Sequence, residues 1–314
     1  MSESLFADWH RPMLVLAGLM AGAAALCLVG LAVDDRVLLG APIWLKPFKF
    51  AVSMALYSAA WAWLYALLNR PRRAAYWLSN GVVACMAIEY VVIVGQVVRG
   101  RPSHFNRSTP LDSALWDVMA FTIVALWLGT LALTVSALRA PVADRPSRWA
   151  IRLGTPIALV GLALAGLMTG LPSQTRPKTI DGFHVQGAHG VGVLDGGPGM
   201  PITGWSTTGG DLRIPHFVGM HALQALPLLA MLLGALATRY PRLRPESVRA
   251  RLVIVAAGGY AGLLALVTWQ ALRGQPLIRP DGPTLLALAV LTGAVAAGGV
   301  LAMRAPRSAV EVPA

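Results

Sequence analysis

The chain is poor in charge. Only 13% of its 314 residues are Asp, Glu, Lys or Arg, against about 25% in an ordinary soluble domain. Cysteine is rarer still, with Cys27 and Cys85 the only two. Neither sits in a CxxC or CxxCH pattern, which excludes c-type haem attachment and gives no support to a thiolate zinc site. Lysine is nearly absent: Lys46, Lys49 and Lys178 stand against 23 arginines. Walker A, GxGxxG, GxSxG and HExxH patterns are all missing. P-loop, dinucleotide, serine-hydrolase and zincin chemistries therefore have no sequence support.

Apolar length is abundant instead. Hydrophobic residues make up 56% of the chain and mean hydropathy is +0.62. That excludes disorder, which needs low hydrophobicity. Crossing a bilayer takes roughly 20 apolar residues per helix. Runs of that kind are Met13–Val33, Phe50–Asn69, Ala74–Val98, Val118–Leu138, Leu153–Leu171, Ile214–Thr238, Leu252–Leu272 and Pro283–Met303. The expected fold is all-α: a polytopic integral membrane bundle of about eight transmembrane helices in a single membrane domain. Backbone polar groups in lipid must be satisfied within each helix. Met1–Pro12 holds Glu3 and Asp8 and one arginine, so the first run reads as an uncleaved helix rather than a signal peptide.

The net charge of +12 would point to nucleic acid in a soluble protein. Here it reads as a topology signal, and no nucleic-acid partner is expected. Eight spans put both termini on one side, and fifteen of the 26 basic residues fall there, densest in short loops. The positive-inside rule makes that side cytoplasmic. The expected setting is a bacterial cytoplasmic (inner) membrane, both termini cytoplasmic, with membrane lipids as neighbours. The cytoplasmic loops are too short for a separate catalytic domain.

On the other side lies a long connection, 172–213, rich in glycine. Loops of this length without periodicity are usually functional or disordered. Its mixture of His, Gln and apolar residues, with the turn sequence Asp195-Gly196-Gly197-Pro198-Gly199, predicts a folded extracytoplasmic cap. Five of the six histidines belong to this side: His104, His184, His189, His216 and His221. With Asp195 and Asp211 they form a candidate ligand set for Zn, Cu or Fe, or for a b-type haem. His216 and His221 are about 140° apart on a regular helix, so they would not chelate one ion from one face. The spacing favours His221, which shares a face with Gln224, as the bundle-facing residue.

Glu89 is the strongest single-residue signal. An acid inside an apolar span costs about 2.5–3.5 kcal/mol on insertion scales and normally faces the bundle interior with a partner. Cys85, Glu89 and Gln96 share a helix face, and Arg99 extends the stripe outward. Arg101, His104 and Asn106 follow at the mouth. This predicts a polar track in which Glu89, Arg99 and Arg101 carry the chemistry. Lys46, Lys49, Asn106, Gln96 and Gln224 would contact a lipid-like or anionic small molecule, although lysines at a helix end also snorkel.

Three functions are compatible with this pattern. The first is a membrane-embedded metal- or haem-dependent enzyme or redox protein with its histidine-rich site at the extracytoplasmic mouth. The second is a proton-coupled transporter that uses Glu89. The third is a non-catalytic membrane partner or sensor.

Overall fold

A computed structural model describes residues 7–68 and 72–304. Eleven α-helices are present among them. They are α1 (Arg11–Val33), α2 (Leu45–Leu67), α3 (Arg72–Val98), α4 (Pro110–Leu138), α5 (Arg145–Ala163), α6 (Leu167–Gly170), α7 (Pro172–Thr175), α8 (Arg213–Met220), α9 (Ala222–Leu236), α10 (Glu246–Leu272) and α11 (Gly282–Met303). The six strands are short: β1 (Val37–Leu38), β2 (Ala41–Pro42), β3 (Lys178–Ile180), β4 (Phe183–Val185), β5 (Gly190–Val191) and β6 (Gly210–Asp211). The fold is an all-α bundle. Seven helices are long and apolar enough to cross a membrane, and the count is eight if α8 and α9 form one bent span.

The helices outrun the apolar runs that announce them. Helix α4 starts at Pro110 rather than Val118, and α5 at Arg145 rather than Leu153. Caps set these starts, since a side-chain oxygen satisfies otherwise unpaired N–H groups of the first turn. Thr109 caps α4 through Asp112 N, Asp144 caps α5 through Ser147 N, and Asp281 caps α11 through Thr284 N. Lys46 and Lys49 likewise fall inside α2, not ahead of it. Asn69, the expected end of the second span, and Met1–Phe6 lie outside the described residues.

Helix α2 runs through the main core, where Ala51, Tyr57, Trp61, Ala62 and Leu64 are buried. It packs on α1 and α3, while α3 packs on α4. A second group joins α5 to α8, α9 and α10, and α11 lies against α10. Much of the outer surface is apolar: Leu26 is 72% exposed and Phe121 75%.

Two breaks interrupt this regularity. Helix α5 tightens into a 3-10 turn at Leu164–Gly166 before α6. Helices α8 and α9 meet at a 41° bend at His221. Sequence alone makes Pro227 the candidate breaker, since proline lacks the N–H that an inner turn donates, but α9 continues through it. Near the first break, α5 and α8 touch backbone to backbone. A Cβ on Gly161 would lie 2.3 Å from the Gly219 carbonyl carbon. Only two glycines allow that crossing.

The connections 34–44, 99–109, 171–212 and 273–281 gather at one end of the bundle. Gln186 N donates to Phe105 O at 2.8 Å and Arg107 N to His184 O at 2.7 Å. Gly40 sits against Gly196, and Gly210 against Ala271. The long connection is folded, with β3–β4 and β5–β6 as antiparallel pairs. Asp181 and Gly182 turn the first of these with φ of +50° and +78°, the geometry that two-residue hairpins prefer.

Candidate functional site

Below this capped end lies a cavity of about 410 Å³, within the usual range for small-molecule sites. Its wall is mainly apolar and aromatic, with Phe50, Trp116, Trp127, Phe217 and five methionines. The polar groups that reach it include Lys46, Ser53, Tyr57, Glu89, His104, Thr169, His189, Arg213 and His216.

Loop 99–109 delivers His104. The anchor of this loop is Asp112, which is fully buried. Its carboxylate accepts from Gln96 Nε2 at 3.1 Å, Arg99 Nη1 at 2.9 Å, Arg101 Nη1 at 2.8 Å and Thr109 Oγ1 at 2.7 Å. Asn106, also buried, donates to Pro102 O and accepts from Ser108 N. The loop is tight enough to hold Phe105 at φ +64°, uncommon for a bulky residue. In that pose Phe105 packs on Trp116 and His189, with ring centroids 5.1 Å away in both cases. His104 itself sits between Phe50 and Trp116 and bonds through Nδ1 to Ser103 Oγ at 3.0 Å.

The 171–212 connection delivers His189. Its Nδ1 lies 2.7 Å from Asp195 Oδ2. The same carboxylate accepts from the backbone N–H groups of His189 and Gly190. Helix α8 delivers His216, whose Nδ1 donates to Gly161 O at 2.9 Å across the Gly161–Gly219 crossing. All three histidines therefore engage Nδ1, and among the described residues Nε2 of each has no hydrogen-bond partner. At His189 and His216 an acceptor-only partner, a carboxylate or a carbonyl, fixes the tautomer that leaves Nε2 bare, the arrangement of an oriented base. The Ser103 hydroxyl on His104 sets no tautomer.

Burial lowers the proton affinity of His104 well below the usual histidine range, and Lys46, His189 and His216 lower it further. Burial also outweighs Asp195 at His189, whose pKa is lowered. Asp195 goes the other way overall: burial alone would raise it, but the His189 ring and the two backbone N–H groups hold it well below the ordinary carboxylate range. The pair is thus a neutral imidazole on an ionised carboxylate.

Glu89 is buried on α3 and accepts from Thr122 Oγ1 at 2.6 Å. Lys46 lies within electrostatic reach of both Glu89 and Asp195 but makes no hydrogen bond or ion pair among the described residues. Arg213 is held by Asp211 and donates to Gly204 O at 2.6 Å.

Several expected site residues are elsewhere. Arg99 and Arg101 are spent on Asp112 and do not line the cavity. Gln96 and Asn106 stabilise the loop. Lys49 donates to Thr203 O at 2.7 Å and so anchors the cap. His184 is exposed on β4 beside Thr179. His221 sits at the bend and pairs with Gln224. His216, not the His221 that spacing favoured as bundle-facing, lines the cavity, while His221 is half-buried at the bend. Cys85 lines a groove between α3 and α4 and not the cavity that Glu89 reaches, though Glu89 lies within electrostatic range of it. Among the described residues, no three His, Cys, Asp or Glu side chains are placed to hold a metal ion. The expected shared set of His104, His184, His189, His216, His221, Asp195 and Asp211 is split over four places.

Asp112, Arg213, Gly161 and Gly219 were not marked as site-building by the sequence. Thr109-x-x-Asp112 does carry a helix-start signature, and that was the one available sign of the Asp112 anchor. No protein-family model, curated protein or solved structure matches the chain.

Proposed function

We propose that this chain is a multi-pass membrane enzyme that performs acid–base chemistry on a small molecule held in the cavity beneath the cap. In this reading the bent α8–α9 pair is one span, giving eight. The arginine-rich loops face the cytoplasm and the cap faces the opposite side of a bacterial inner membrane.

One observation carries the proposal. His189 and Asp195 form an oriented base, and they do so on the wall of an apolar cavity that also receives Glu89, His104 and His216. Perturbed titratable groups converging on an apolar pocket are the usual physical mark of an active site. His189 would take a proton at Nε2, with Asp195 stabilising the imidazolium that forms. Glu89 is the acid or second base, oriented by Thr122. The histidines act here as proton-transfer groups rather than as an ion cage.

The test is a comparison of lipid and small-molecule profiles from vesicles holding wild-type protein and His189→Gln. A positioned general base contributes about 10²–10⁴-fold. The proposal therefore expects a species consumed by wild type and consumed at least ~100-fold more slowly by His189→Gln. Profiles that are identical with wild type, with His189→Gln and with no protein would overturn it.

A second reading is favoured by the breaks in α5 and at His221, both beside the cavity. Discontinuous helices at a mid-membrane site are a transporter feature. Proton-coupled flux into vesicles that is lost in Glu89→Gln would select this reading over catalysis.

A further inference from the structure

The cavity mouth and its one unspent cation define a ligand class more narrowly than the acid–base reading does. The inference deepens that reading of the same cavity.

Consider first the basic groups at this end of the bundle. Arg99 and Arg101 are paired with Asp112, Arg107 with Asp117, and Arg213 with Asp211. Lys49 is held by Thr203 O. Lys46 alone among these reaches the cavity with no hydrogen bond or ion pair among the described residues. An ammonium on an apolar wall is costly unless something pairs with it. Glu89 accepts from Thr122 and Asp195 from His189; both act on Lys46 through space without touching it. A directly bonded counter-ion for Lys46 is therefore not supplied by the described residues.

Consider next where the cavity opens. Part of its wall is formed by Ile123 and Val124 of α4, which are 44% and 58% exposed. Ala163, Gly166 and Thr169 line the same cavity and are also exposed. The opening thus lies on the apolar flank of the bundle, beside the 3-10 turn, and not only at the capped end. At Gly166 an added Cβ would meet nothing within 4 Å, so this rim is open. The walls between the rim and Lys46 include Met54, Met86, Met119, Met168 and Met220, five of the chain's 11 methionines. Methionine walls are polarizable and adapt to a flexible apolar ligand.

We infer that the cavity takes an amphiphile with an anionic head, a carboxylate or a phosphate, seated with its head on Lys46 and its acyl chain leaving past Gly166 between α4 and the α5–α6 break. Lateral entry from the lipid phase follows, since the chain never has to leave an apolar medium. His104, His189 and His216, which line the cavity, then surround the head, where the proposed proton transfers occur.

The test uses the full chain in detergent or nanodiscs. Trp116 and Trp127 line the cavity, so a brominated fatty acid quenches their fluorescence when bound. Saturable quenching is expected, displaced by oleate or by lysophosphatidate, with the uncharged monoacylglycerol at least tenfold weaker. Stronger displacement by lysophosphatidate assigns a phosphate head, and stronger displacement by oleate a carboxylate. Lys46→Met should weaken binding about tenfold or more. Gly166→Phe should block the rim and strongly reduce quenching while leaving the thermal midpoint near wild type, and Lys178→Met outside the cavity should change nothing. Equal binding of charged and uncharged amphiphiles, or quenching unaffected by both Lys46→Met and Gly166→Phe, would overturn the inference. The two readings fail separately. Amphiphile binding without any turnover refutes the enzyme and keeps the ligand, whereas turnover of a substrate that does not compete with oleate or lysophosphatidate does the reverse.

Discussion

Removing one negative charge from the Asp112 anchor should loosen the whole capped end. In Asp112→Asn the side chain keeps its shape but loses the charge that holds Arg99 and Arg101 at 2.9 and 2.8 Å. Breaking a buried ion pair from one side costs about 3–5 kcal/mol. The two arginines are 34% and 33% exposed, so water recovers part of their solvation. That discount brings the cost to about 2–3 kcal/mol. Thr109 Oγ1 can still donate to an amide oxygen, which keeps the α4 cap in place. At about 2–4 °C per kcal/mol for a large domain, the melting temperature should fall by about 6 °C. The assay is a tryptophan-fluorescence melt in detergent. Trp116 sits on the Phe105 ring, so its emission should also shift as loop 99–109 loosens. A melting temperature and emission spectrum equal to wild type would refute the view that Asp112 anchors this loop.

Other consequences follow from the same geometry. Gly161→Ala should cost about 1–3 kcal/mol by overpacking, because its Cβ would meet the Gly219 backbone at 2.3 Å; a melt compared with Gly166→Ala, which meets open space, checks it. Acid should destabilise the protein. His104 and His189 have lowered proton affinity when folded, so the unfolded chain binds more protons below its ordinary histidine pKa of about 6.5. The melting temperature should be flat above pH 7 and fall below about pH 6.5, with a slope of at most ~1.4 kcal/mol per pH unit for each histidine. A melting temperature that rises on acidification would contradict that sign. Purified protein should carry no stoichiometric transition metal and show no Soret band; either one, lost in His189→Ala, would restore the ion-ligand role expected from composition.

The bundle was legible because continuous apolar runs of about 20 residues have the length of a bilayer-crossing helix. Its details were less so. The starts of α4 and α5 depend on Thr109 and Asp144 as caps, and a hydropathy pattern does not register caps. The burial of Glu89 followed directly from the cost of an unpartnered acid, and its partner Thr122 is a residue type that such reasoning allows. The site histidines were only half legible. Regular helical spacing puts His216 and His221 on different faces, but it does not say which one reaches a cavity, and the bend at His221 is not written in the hydropathy pattern. The glycine pair Gly161 and Gly219 stands 58 residues apart in sequence, and no local pattern joins them. Arg99 and Arg101 were expected to carry chemistry with Glu89 because charge at a membrane mouth is conspicuous. The acid that neutralises them, Asp112, was only one of several on that side. Long-range pairing of this kind is where a one-dimensional reading ends.

The central claim is that His189 is a neutral, oriented base with a bare Nε2 facing the cavity. Nitrogen-15 NMR of histidine-labelled protein in lipid, with the His189 signal identified by its loss in His189→Gln, measures this directly. The account predicts the tautomer protonated at Nδ1 with Nε2 unprotonated at pH 7, shifting on addition of an anionic amphiphile. A His189 protonated at Nε2 and bare at Nδ1, or one insensitive to every amphiphile, would contradict it.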